Sequence, residues 1–219
     1  MKNDVMGFKI ILLGNSGVGK TSILERFAYN KFNEEVLSTV GLNYVNKNIT
    51  LNNGESINLK IWDTVGQEKF HSLSKSYFKN VDAVLFIFSI DDEKSFKNLK
   101  YWIELFSINN NGKRNIPLYL IENKNDLNRL VDEDEINDFL NEHDNLKFKS
   151  TSAKLEENNE IHELFQELGE ILYNNDINGK ENKDRQCSIR LTSPQKKEKT
   201  NYCICYSLEW KNLKENHLK

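Results

Sequence analysis

Proline is almost missing from this 219-residue chain, which has two, and its three cysteines, Cys187, Cys203 and Cys205, all stand beyond residue 173. No disulfide can therefore staple the first 173 residues, which must fold on packing alone, and such cysteine usage leads us to expect a reducing, intracellular setting. No apolar run approaches the 18 or so residues that a membrane-spanning helix needs. The opening MKNDVMGFK has neither the apolar core of a secretion signal nor a glycine after the first methionine, so neither secretion nor N-myristoylation is expected. Basic charge is also short in the body: residues 1–173 carry 20 Lys and Arg against 27 Asp and Glu, whereas residues 174–219 carry 10 against 6. Affinity for nucleic acid rests mainly on basic groups meeting phosphates, so an acidic body makes a poor nucleic-acid face and none is expected as a partner.

The length suits one domain of ordinary size plus an extension. Apolar runs of strand length occur at 8–13, 57–62, 83–90 and 116–121, and stretches of helical period alternate with them at 22–29, 95–107, 133–143 and 161–173. Alternation of this kind predicts an α/β fold with a mainly parallel sheet. Between 44–51 and 56–62 the connection NNGE is too short for a crossover, and Asn-Gly favours a tight hairpin, so one antiparallel pair is expected. The last helix repeats Ile161, Leu164, Phe165, Leu168, Ile171 and Leu172 at three-and-four spacing, a stripe suited to covering the sheet. After Tyr173 the pattern stops. Residues 174–201 are polar and charged, too poor in apolar surface to offset ordering, and are expected to form a flexible linker. The division is thus 1–173 for the domain and 174–219 for linker and cysteine-bearing tail.

Glycine is scarce as well, with ten in all, yet three stand in GNSGVGKT, residues 14–21. The stretch fits G-x-x-x-x-G-K-[ST], follows a predicted strand and opens a predicted helix, so that backbone N–H groups and a helix N-terminus converge where a polyphosphate can sit. Lys20 would reach the β- and γ-phosphates and Thr21 would give its hydroxyl to Mg²⁺. The candidate phosphate-binding set is Gly14, Asn15, Ser16, Gly17, Val18, Gly19, Lys20, Thr21 and Ser22. In WDTVGQEKF, residues 62–70, Asp63 can hold the Mg²⁺ hydration shell, Gly66 can bring a bare N–H to the terminal phosphate, and Gln67 offers a donor and an acceptor to orient an attacking water.

A third stretch, NKND at 123–126, again ends a predicted strand. A carboxylate accepts but cannot donate, so Asp126 suits the N1–H and N2–H edge of guanine, which adenine lacks. Lys124 can lie over the ring, and Asn123 can tie this loop back to the phosphate loop. In TSAK, residues 151–154, the Ala153 N–H would meet guanine O6, with Ser152 and Lys154 beside it. Each is an ordinary polar loop when taken singly, but the four occur together and in order.

On these residues the chain resembles the small GTPases of the Ras superfamily, and the Rab family in particular, over about residues 7–173. The resemblance implies a P-loop domain with a six-stranded, mostly parallel sheet, one strand antiparallel, and helices on both faces. It also implies that Phe32, twelve residues after the loop lysine, packs on the guanine, and that Thr39, nineteen after, binds Mg²⁺ in the GTP state with Thr21 and Asp63. VGLNY (40–44) and NLKIW (58–62) resemble Rab patterns, and KFHSLSKSYF (69–78), DDEKSFKNLKYW (91–102) and FKSTSAKLEENNEIHELF (148–165) resemble endosomal Rabs. Tyr44, Trp62 and Tyr77 fall on the aromatic triad through which Rabs meet effectors, although three aromatics also serve as plain packing. Implied with the family are a GTP- and GDP-binding switch with Mg²⁺ that regulates vesicle traffic, exchange factors, activating proteins and effectors as partners, and a place in the cytoplasm and on the cytoplasmic face of intracellular membranes, endosomes included.

Some residues depart from the family pattern. Glu122 stands where glycine is usual, Val65 replaces alanine, and FSIDD replaces Tyr-Asp-x-Thr. His71 is expected to be a solvated loop residue. The tail carries YCICY, and Cys203 and Cys205 are candidates for lipidation, but fourteen residues follow and the last two are Leu-Lys, not a prenylation signal. Prenylation lost at an altered end, internal S-acylation beside lysines, and an unmodified tail all stay open. No arginine stands near the loop as an in-cis finger, so slow hydrolysis, on the order of 10⁻⁴ to 10⁻² per second, is expected. A GTP-binding module with little hydrolysis, or a P-loop nucleoside kinase, would share the first motif; the kinase would need a cluster of lid arginines that the sequence does not show.

Overall fold

In the computed structural model the described residues are 5–34, 43–63, 77–110, 116–155 and 159–190, with side chains described through 178. The elements follow as β1 (Met6–Leu13), α1 (Lys20–Tyr29), β2 (Asn43–Thr50), β3 (Ser56–Asp63), β4 (Ala83–Ser89), α2 (Glu93–Lys97), α3 (Leu99–Asn109), β5 (Leu118–Asn123), α4 (Glu133–Asn141), β6 (Leu146–Thr151) and α5 (Glu160–Arg190). The six strands form one sheet in the order β2-β3-β1-β4-β5-β6. Only β2 and β3 pair antiparallel; every other neighbouring pair is parallel.

The period of two in the strands sends alternate side chains to opposite faces, and the core divides accordingly. Ile10 and Leu12 of β1 lie in one cluster with Ile23, Leu24 and Phe27 of α1 and Leu164, Phe165 and Leu168 of α5. Ile11 and Leu13 lie in the other with Phe96 of α2, Trp102 and Phe106 of α3, and Ile136 and Phe139 of α4. β4 is buried along its whole length, as a central parallel strand covered by helices on both faces must be. The hairpin between β2 and β3 closes at NNGE, where Gly54 takes φ 85° and donates its N–H to the Leu51 carbonyl at 2.9 Å.

Three features differ from the sequence pattern. The periodic stretch at 95–107 is two helices, α2 and α3, meeting at Asn98, which ends the first and begins the second. β6 has no apolar run, because Lys147 and Phe148 on this edge strand are both exposed and only Thr151 is buried. α5 continues to Arg190, so residues 174–190 are helical, not irregular as expected. Once a helix is nucleated each added residue gains a hydrogen bond, and the Lys, Glu, Arg and Gln of 180–186 are good helix formers, so the helix outlasts its apolar stripe. The chain divides into two compact units, Met1–Gly179 and Lys180–Lys219. The first holds the sheet and its helical layers; of the second, only the helical backbone of 180–190 is described.

Candidate functional site

Because β1, β3, β4, β5 and β6 run parallel, their carboxyl ends lie along one edge, and β1 has β3 on one side and β4 on the other, so the strand order switches direction beside it. A crevice at the carboxyl ends beside such a switch in strand order is where open α/β sheets take ligands. Register brings the predicted residues there: Leu12 is level with Asp63, and Asn123 is level with Ser89 and Thr151.

The loop 14–19 turns sharply between β1 and α1. A Cβ on Gly14 would stand 2.1 Å from the Ile87 carbonyl oxygen, and one on Gly19 2.2 Å from the Asn123 amide nitrogen, with both glycines at positive φ. Side chains at either place would push the loop off the strand ends. Gly19 caps α1 in the left-handed region, with no side-chain hydrogen bond at the cap. Lys20 is buried and donates to the carbonyls of Gly14 at 2.9 Å and Asn15 at 2.6 Å. Desolvation pushes its ammonium down to about 8, partly countered by the charge of Asp63. Asn15 is held in turn: its Oδ1 accepts from Asn98 Nδ2 and from Trp102 Nε1, each at 2.9 Å. Ser16 and Gly17 are exposed, Val18 is buried, and Ser22 is half-buried on the first turn of α1.

Thr21 and Asp63 meet across the gap between α1 and β3, the hydroxyl donating to Asp63 Oδ2 at 2.6 Å. Asp63 is fully buried, and its Oδ1 has no hydrogen-bond partner among the described residues. Burial raises its carboxyl above the usual range, while the Thr21 hydroxyl and the Lys20 charge pull it back. A buried carboxylate oxygen without a partner is costly. One carboxylate and one hydroxyl side by side are the donors that Mg²⁺ takes when phosphates and water supply the rest, so these residues fit the ion.

Two further loops complete the edge. Asn123 is buried and donates Nδ2 to the Val18 carbonyl at 2.8 Å, joining this loop to the phosphate loop as the sequence suggested. Lys124 takes φ 63°. Asp126 is exposed and accepts from Ser152 Oγ at 2.5 Å, so the stretches at 123–126 and 151–154 are tied together. Ala153 is buried, and its carbonyl accepts from Arg26 Nε at 2.8 Å. Lys154 pairs with Glu34 at 2.8 Å on the outside. Phe32 is half-buried, packed on the α1 side of the core.

The three aromatics also come together. Tyr44 stacks on Trp62 with centroids 5.1 Å apart, and Tyr77 meets Trp62 edge-on at 6.1 Å and donates its hydroxyl to the Trp62 carbonyl at 3.0 Å. Tyr44 stays 54% exposed while Tyr77 is buried, so the cluster has a wet end and a fixed end. Lys9 sits beneath, its ammonium 4.9 Å from the Trp62 ring centre. Thr39, Val65, Gly66, Gln67, His71, Cys203 and Cys205 lie outside the described residues. Asn98, Trp102 and Arg26, which brace the loops, escaped the sequence reading because none belongs to a local pattern; each acts across more than 80 positions of chain.

The Ras family profile matches residues 9–174. The Ras-related protein Rab-32D of Dictyostelium discoideum is 39% identical over 173 residues, covering 77% of this chain and 75% of that one. The Ras-related protein Rab-5B of Plasmodium falciparum is 38% identical over 165 residues, or 75% of this chain and 77% of that one. The Ras-related protein Rab-13 of Bos taurus is 34% identical over 199 residues, covering 90% and 95%. A match of this extent, on a sheet whose carboxyl edge gathers the glycine loop 14–19, the Thr21–Asp63 pair and the loops at 123–126 and 152–154, places the chain in the Ras family of small GTPases, as a divergent member of the Rab type.

Proposed function

We propose that this protein is a guanine-nucleotide switch of membrane traffic: it binds GTP or GDP with Mg²⁺, hydrolyses GTP slowly, and engages effectors in the GTP state. The observation that carries the proposal is the buried Asp63 Oδ1, which has no hydrogen-bond partner among the described residues, beside the Thr21 hydroxyl and next to a glycine loop whose carbonyls hold Lys20. Thr21 and Asp63 would hold Mg²⁺, with Thr39 joining in the GTP state. When bound, the ion neutralises charge on the β- and γ-phosphate oxygens. Lys20 and the N–H groups of the loop and of α1 hold the phosphates in line. Asp126 accepts from the guanine N1–H and N2–H, steadied by Ser152, and Lys124 and Phe32 cover the faces of the base. Gln67 orients the attacking water, and Gly66 meets the terminal phosphate through its N–H.

To move a switch from nearly all off to nearly all on needs about 5.5 kcal/mol of differential affinity. Thr39 and Gly66 are the positions proposed to supply it. Tyr44, Trp62 and Tyr77 form the effector face. Exchange and activating proteins act in trans, on the cytoplasmic side of intracellular membranes, with lipid on Cys203 and Cys205 as the anchor and endosomes as the compartment that the resemblance favours.

The test is the nucleotide carried by the protein. Purified full-length chain should release GDP or GTP on denaturation, close to one per molecule, and GDP should displace a fluorescent guanine nucleotide far better than ADP does. ADP competing as well as GDP would overturn the assignment of 123–126 and 151–154.

A further inference from the structure

Glu122 departs from the family at a place where a charge is costly. It lies on β5 between β4 and β6, level with Phe88 on one side and Ser150 on the other, and is 1% exposed. A carboxylate so deep persists only if it is paired and its lone pairs are filled. Arg129 does the pairing as a planar fork, with Nη1 donating to Oε2 at 2.8 Å and Nη2 to Oε1 at 3.0 Å. Ser150 Oγ donates to Oε1 at 2.9 Å. The ion pair therefore closes a ring of chain, and residues 123–126 lie inside that ring.

The contacts do not stop at the pair. Asn125 Nδ2 donates to Ser150 Oγ at 3.2 Å and reaches the Glu160 carboxylate at 3.4 Å. Glu160 Oε2 accepts from the Ser152 N–H at 3.1 Å, and Ser152 Oγ donates to Asp126 Oδ1 at 2.5 Å. One continuous polar chain thus runs from Arg129, through Glu122, Ser150, Asn125, Glu160 and Ser152, to the carboxylate proposed to read the base. We infer that Glu122 and Arg129 are a joint positioning device for base reading, which fixes loop 123–126 against loop 152–154 and so sets how fast guanine nucleotide is released and how well its 2-amino group is sensed. This rests on the guanine-nucleotide function proposed above. Neither residue touches the nucleotide; both act through Ser152 and Asp126.

Release of GDP and of IDP, which lacks the 2-amino group, should be timed from the full-length wild type and from Arg129→Met, Glu122→Gln and Ser150→Ala, with melting temperatures measured alongside. Residues along such a network shift coupling by a few-fold to about thirtyfold. Arg129→Met should release GDP about tenfold faster, in the middle of that range, and IDP much less so, which narrows the GDP/IDP ratio. The Glu122→Gln/Arg129→Met double variant should be no worse than the poorer single, since the two work as one unit. Ser150→Ala leaves the ion pair in place and should narrow the ratio in the same direction, which keeps the test open if a charge variant fails to fold. Wild-type release rates and a wild-type GDP/IDP ratio in variants whose melting temperature has fallen would make the pair a matter of stability alone and overturn the inference. A wild type that does not hold GDP would instead overturn the functional proposal, and the inference with it.

Discussion

Asp126 shows how much one side chain can decide. Ser152 Oγ fills one of its oxygens at 2.5 Å, which fixes the carboxylate proposed to read the base. Replacing it by Asn turns an acceptor into a donor, which opposes a guanine N–H but suits the carbonyl that xanthine carries at the same place. Hydrogen bonds to a charged group are worth about 1.5–3 kcal/mol. Asp126→Asn should therefore lose roughly 10- to 100-fold in GDP affinity and gain for xanthosine diphosphate, read by competition with a fluorescent nucleotide. At this scale the sequence was legible where a short stretch sets the backbone: the glycine loop stands between β1 and α1, and Asn123 ties its own loop to the Val18 carbonyl. It was silent on the braces. Asn15 is clamped by Asn98 and Trp102, Ala153 by Arg26, and Glu122 by Arg129, and no short pattern announces a partner that only folding brings near.

Among the elements, α5 shows what periodicity can and cannot tell. Its stripe of Ile161, Leu164, Phe165 and Leu168 was plain in the sequence and is buried as read. Phe165 is fully buried and stacks on Phe27 of α1 at 4.1 Å, so truncation removes a large apolar contact between two helices on one face of the sheet. Phe165→Ala should cost about 3–5 kcal/mol in chemical denaturation with GDP present throughout. His162, on the same helix, gives a pH signature. Burial, with the charges of Lys47 and Arg26 nearby, holds its imidazole below the ordinary value of 6.5. The unfolded chain therefore takes up the proton first as pH falls, and folded stability drops as pH descends through 6.5. Between about pH 7.5 and 5.5 the wild type should lose more melting temperature than His162→Phe; an equal loss in both would remove His162 from the account. β6, by contrast, was hidden. Its edge position leaves lysines outward at Lys147 and Lys149, where they pair with Glu167, and such a strand has no apolar run to detect. The end of α5 was hidden for the opposite reason, since a helix can continue on propensity after its buried stripe has ended.

Over the whole molecule the charge is divided, with an acidic domain followed by a basic 174–219, a division that favours the proposed attachment of the tail to an anionic membrane surface. In the proposed function the same division would separate timing from placement, because every residue proposed to handle nucleotide lies before 155 and both candidate lipid sites lie after 200. The proposed switch requires the domain to be a self-contained timer. Single-turnover hydrolysis measures that most directly: the protein is loaded with GTP, Mg²⁺ is added, and released phosphate is followed together with tryptophan fluorescence, to which Trp62, between Tyr44 and Tyr77 in the aromatic cluster, contributes. A switch of this kind gives one exponential on the order of 10⁻⁴ to 10⁻² per second, the same for phosphate and fluorescence, and at least tenfold slower in Gln67→Leu at unchanged GTP affinity. Phosphate released from ATP as fast as from GTP, or equal rates for Gln67→Leu and wild type, would contradict it.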